Sequence, residues 1–169
     1  MFAALARSVT PGRAIRLNPK FALAFRNRGH AYAEKGQRDR AIQDYGEAIK
    51  LEPNNAANWN SRCWERGIVG QLQDALPDCN ESLRLRPNHA ATLDSRGLVY
   101  LKLGRYDDAI ADYDAALKLD PKQAVSLAGR ALSKQFKNDG SAVDDLKAAI
   151  AIDADIVKKF TSYGVTLKK

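Results

Sequence analysis

The chain has 169 residues, 45% of them apolar, enough to bury a sizeable core as one folded unit, 1–169. No apolar run nears the roughly 18 residues of a membrane-spanning helix, and two cysteines are too few for a disulfide framework, so a cytoplasmic setting with Cys63 and Cys79 as reduced core thiols is expected. The net charge of +7 is concentrated at the ends: residues 1–33 hold six basic side chains and no acid, residues 156–169 four lysines and no acid, and the span between is net −3, which argues against a nucleic-acid groove but leaves basic ends for an anionic partner.

In chain order, the opening "MFAALARSVTPG" has too short an apolar stretch, broken by Arg7, for a signal peptide. Residues 2–21, closing on "RLNP", read as the degenerate second helix of a helical hairpin. A full hairpin follows over 22–55, with "RNRGHAYAEKG" in its first helix and "KLEP" near its end. "NSRCWERGIVG" and "RLRP" repeat that plan over 56–89, and "DSRGLVYLKLG" and "KLDP" over 90–123. A looser copy, 124–156, holds "AGRALSKQFKN" and "AIDA", and 157–169 reads as an amphipathic helix closing the row. Gly36, Gly70, Gly104 and Asn138 part the first helix of each unit from the second, as these residues do at helix C-termini. Pro53, Pro87 and Pro121 stop the second helix. One such hairpin cannot cover its own apolar face, whereas stacked copies can.

The 34-residue spacing and the residues at fixed places in it resemble the tetratricopeptide-repeat family. Unit 22–55 supplies the family's Phe25, Gly29, Tyr32, Ala41, Tyr45, Ala48 and Pro53, and unit 90–123 supplies Leu93, Gly97, Tyr100, Ala109, Tyr113, Ala116 and Pro121. Unit 56–89 departs from the pattern at Cys63, Arg66, Cys79 and Ser82, and unit 124–156 at Lys134 and Ala154. The resemblance implies an all-α, right-handed superhelical solenoid of about four hairpins with a C-terminal capping helix, working as a non-catalytic scaffold for a peptide or protein segment.

One feature departs from the family in every copy. Arg28, Arg62, Arg96 and Arg130 stand where the family usually has leucine, on a face that packs inward. Asp44, Asp78, Asp112 and Asp145 recur on the second helices. The one-to-one match predicts a bidentate bridge inside each hairpin, a structural ladder that holds the two helices in register.

In similar proteins the ligand lies on the concave face built by the first helices. Carried across, that face offers Arg26, Asn27, His30, Asn60, Trp64, Ile68, Asp94, Leu98 and Lys102, with Trp64 and Leu98 as the candidate anchors. One subfamily clamps the acidic tails of chaperones; at its clamp positions this chain has Arg26, His30, Ser61, Ala91 and Ser95, and only the first fits in charge. An extended or helical peptide with mixed anchors is the better match.

No enzyme constellation emerges. His30 and His89 are isolated, the glycines fall at turns and close helix contacts, and Asp107 and Asp108 sit at a helix start where the macrodipole favours them. No catalytic residue, metal or cofactor is expected. The partner is expected to be protein or peptide, with no membrane contact, and the chain a monomer or weak homo-oligomer. The alternatives are a structural or regulatory segment of a larger polypeptide that self-associates through residues 2–17, and a binder of an anionic partner through its basic ends.

Overall fold

The computed structural model describes residues 10–166. Among them are ten α-helices and no strand: α1 (Pro11–Leu17), α2 (Ala22–Glu34), α3 (Arg38–Leu51), α4 (Ala56–Val69), α5 (Leu72–Leu85), α6 (Ala90–Lys102), α7 (Tyr106–Leu119), α8 (Ala124–Phe136), α9 (Ala142–Ile152) and α10 (Ile156–Ser162). Helices α2 to α9 form four hairpins, and the second helix of each packs against the first helix of the next. The first helices of the last three hairpins also touch, α4 against α6 and α6 against α8. This is an all-α helical-repeat fold. None of the helices is long and apolar enough to cross a membrane.

Turn chemistry sets the hairpin shape. Gly70 ends α4 at φ 86° and Asn138 follows α8 at φ 60°, left-handed values that glycine adopts freely and asparagine tolerates. Small residues let the helices close: Ala41, Ala48, Ala75, Ala109, Ala116 and Ala149 have no exposed surface. Tyr45 packs on Gly29 and Tyr113 on Gly97, where an added methyl would fall about 2.7–2.8 Å from the nearest ring atom.

The second hairpin solves the same packing problem differently. Its residues at those two places are Cys63 and Cys79, and they are joined as a disulfide, correcting the expectation of two reduced thiols. Facing sites on paired helices put their Cα atoms 5.4 Å apart, inside the range a disulfide spans.

The ends also differ from the expected plan. Of the segment 2–21, residues 2–9 lie outside the described residues, and α1 covers Pro11–Leu17. The closing helix α10 ends at Ser162, and Gly164, at φ 81°, turns the chain so that Val165 re-enters the core at 6% exposure.

Candidate partner-binding groove

Each arginine of the ladder is held by two hydrogen bonds within its own hairpin. Arg28 donates to Asp44 at 2.7 and 2.8 Å, Arg62 to Asp78 at 2.8 and 2.7 Å, and Arg96 to Asp112 at 2.7 Å twice. Arg130 donates to Asp145 at 2.8 and 2.5 Å. The guanidinium fork matches the carboxylate geometry, and all four aspartates are buried. These charges neutralise one another in place.

Beyond the expected pairing, the ladder also crosses between units. Arg96 Nη1 donates to Asn80 at 2.9 Å, and Arg130 Nη1 to Asp114 at 2.6 Å, each in the preceding second helix. The corresponding residue before Arg62 is Gly46, which has no side chain to offer. The flat faces of the guanidinium groups are used as well. Arg28 lies 5.8 Å from the Tyr32 ring centre, Arg96 5.6 Å from Tyr100 and Arg62 5.2 Å from Trp59. Where the tyrosine is replaced, by Arg66 or Lys134, the replacement adds a second cation to Asp78 or Asp145 at 2.8 Å.

The expected ligand face divides into two halves. Towards the N-terminus, Asn27 and His30 are exposed, and Arg26, Asn60 and Trp64 are half-buried. The His30 ring meets the Tyr45 hydroxyl at 3.1 Å, and partial desolvation of the ring on that side, then the charge of Arg26, lowers its pKa. Asn60 Oδ1 is buried with no hydrogen-bond partner among the described residues.

Towards the C-terminus the face is covered. Leu98 (1% exposed), Ile68 (9%) and Asp94 (4%) are buried, so these three do not present open surface, contrary to expectation. Asp94 is buried against Ser126 of the next unit, and for Leu98 and Ile68 the chain's own tail contributes. Leu98 and Ile68 belong to one apolar cluster with Ile156, Phe160 and Val165, and the Trp64 and Tyr163 rings meet edge to face at 5.1 Å. Lys102 is also engaged: its ammonium donates to the Gly67, Ile68 and Tyr163 carbonyls at 2.7, 2.8 and 2.8 Å. Two of those carbonyls are in the last turn of α4, where a cation is favoured. The spacing of Phe160 and Tyr163 within a segment read as a solvating helix was the sequence signal for this contact.

The family model for the tetratricopeptide repeat matches residues 22–55 and 95–123. The chain carries tetratricopeptide repeats. No curated protein is matched by sequence. Solved structures show the same fold. MamA from Desulfovibrio magneticus is 19% identical, with 90% of this chain and 91% of that one covered and a TM-score of 0.74. The Arabidopsis OM64 tetratricopeptide domain is 26% identical over 69% of this chain and 94% of that one, with a TM-score of 0.64. YrrB, described as a tetratricopeptide protein with an unusual peptide-binding site, is 20% identical over 91% and 80%, with a TM-score of 0.69.

Within this tetratricopeptide array, Asp94 seals a joint between units instead of facing a ligand. Its carboxylate accepts from Ser126 Oγ at 2.5 Å, and burial pushes its pKa up to about 6. An unfolded aspartate titrates near ~3.9, so between those values the fold holds the proton more tightly than the unfolded chain does. The resulting stabilisation is complete below ~3.9 and is lost as pH rises through about 6. Asp94→Asn should therefore stabilise the chain at pH 7 by about 2 kcal/mol, with the gain vanishing near pH 4. Urea midpoints at the two pH values check this; an equal shift at both would refute it.

Proposed function

We propose that this chain is a non-catalytic scaffold that binds a peptide or protein segment along the face formed by its first helices. The supporting observation is the arrangement of that face. Trp64 stands at the boundary of its open and covered halves, on the same face as two polar side chains, Asn60, whose Oδ1 has no partner among the described residues, and His30, held by Tyr45. An aromatic edge with polar groups on the same face is what a segment with mixed anchors uses. YrrB, with its peptide-binding site on the same fold, supports the reading. The ladder belongs to the framework, because its carboxylates are buried and its arginines paired. A cytoplasmic location rests on cysteine usage alone, and the Cys63–Cys79 disulfide weighs against it.

Affinity capture tests the reading. Trp64→Ala should weaken capture of a bound segment at least tenfold, since truncating a central aromatic anchor costs about 2 kcal/mol or more. Gln43→Ala, exposed on the second helix α3 and away from that face, should change it little. A partner retained equally by the Trp64→Ala chain would exclude this groove. Light scattering at 18.6 kDa would exclude self-association as the chain's role.

A further inference from the structure

We infer that residues 156–166 are a tethered, displaceable occupant of the groove, and that the segment which replaces them has the same anchors: an aromatic, two residues, then an aromatic–glycine–aliphatic turn. The inference rests on the groove reading above. The chain's own "FTSYGV" (160–165) is the occupant from which this chemistry is read.

Three observations make the occupant ligand-like. First, it meets residues expected to bind ligand: Tyr163 stacks edge to face on Trp64, and its carbonyl accepts from Lys102, a side chain 61 positions earlier. A helix that only closed the end of the row would stop on its last hairpin, but this segment reaches back to the second. Second, it holds together weakly by itself. Helix α10 has 7 residues, well below the length at which an isolated helix is stable, so its shape depends on the surface beneath it. Its outer side carries exposed Lys158, Lys159, Thr161 and Ser162, so release exposes only the inner anchors. Third, there is room beside it. A cavity of about 460 Å³ adjoins Gly164, Val165 and Thr166 and is walled by Leu101, Lys102 and Phe136.

Competition on the full chain tests this. A fluorescent peptide of residues 156–166 is titrated by anisotropy against the unsubstituted chain and against Phe160→Ser/Tyr163→Ala, whose tail has lost its anchors. The substituted chain should bind the peptide at least tenfold more tightly, and adding Trp64→Ala should remove that gain. Equal binding to both chains, or none to the substituted chain, overturns the inference. Native-state hydrogen exchange on the unsubstituted chain covers the case in which the double variant unfolds. The amides of Tyr163, bonded to the Lys159 and Phe160 carbonyls, of Gly164, bonded to Thr161, and of Val165, bonded to Phe160, should exchange at least tenfold faster than those of α8. Exchange only at the global unfolding rate would make the tail a permanent part of the core and overturn the inference. Partner capture that still depends on Trp64 would then leave the groove reading standing without the tail.

Discussion

Arg96→Leu is expected to destabilise the chain by about 3–5 kcal/mol, the cost of leaving a buried carboxylate without its counterion. Asp112 is 6% exposed, and among the described residues Arg96 is the only cation bonded to it. Leucine also abandons Asn80. Converting Asp112 to leucine in the same chain should recover at least about 1 kcal/mol relative to the sum of the single changes, because the stranded charge is then gone. The ladder makes a sharper prediction by comparison between units. Arg62→Leu should cost less than Arg96→Leu, since Arg66 stays on Asp78 at 2.8 Å. Denaturant unfolding of the four variants measures all of this. Strict additivity, or equal losses for Arg62 and Arg96, would show that the carboxylates do not depend on these partners.

Gly129→Ala should cost about 3 kcal/mol or more, at the upper end for overpacking a filled core. A methyl at that position would lie 2.5 Å from the Tyr113 hydroxyl oxygen and closer still to the adjoining ring carbon. The ring has little room to retreat, because it is fully buried and also packs closely on Gly97. Tyr113→Phe should be near neutral alone, since the hydroxyl is buried without a partner among the described residues. It should also soften the Gly129→Ala loss by removing one of the clashing atoms. Gly12→Ala in α1, where an added methyl meets nothing, is the control and should be neutral or mildly stabilising. Thermal melts separate these cases; a Gly129→Ala chain as stable as its parent would mean the α7–α8 contact is looser than described.

The repeat and its arginines were legible in the sequence because they are written at fixed spacing. Proline and glycine mark the hairpin ends, and the ladder needs a matched cation and carboxylate in each copy. The features that were not legible come from single substitutions or distant contacts. Gly129 lies two residues before the small residue the family pattern assigns to its helix, and only its neighbour's Tyr113 gives it meaning. Asn80 and Asp114 look like solvated polar residues until the next hairpin brings an arginine to them. Cys63 and Cys79 read as two core thiols, because spacing puts them on inward sites of one hairpin, near enough to oxidise, without reporting whether the sulfurs are joined. The covered half of the groove was least legible of all. Leu98 and Ile68 are at ligand positions in the repeat, but they share one apolar cluster with a segment from the far end of the chain, whose Tyr163 meets Trp64 and Lys102.

The residues beside the guanidinium groups carry a longer rhythm than the hairpin. Tyr32 and Tyr100 lie under their arginines, whereas Arg66 and Lys134 add a second cation to the neighbouring aspartate. Odd and even copies are thus two kinds of brick, and the smallest block that reproduces itself along the row is a pair. Lengthening the row by one brick would set two of a kind side by side, while inserting a pair would preserve the alternation throughout.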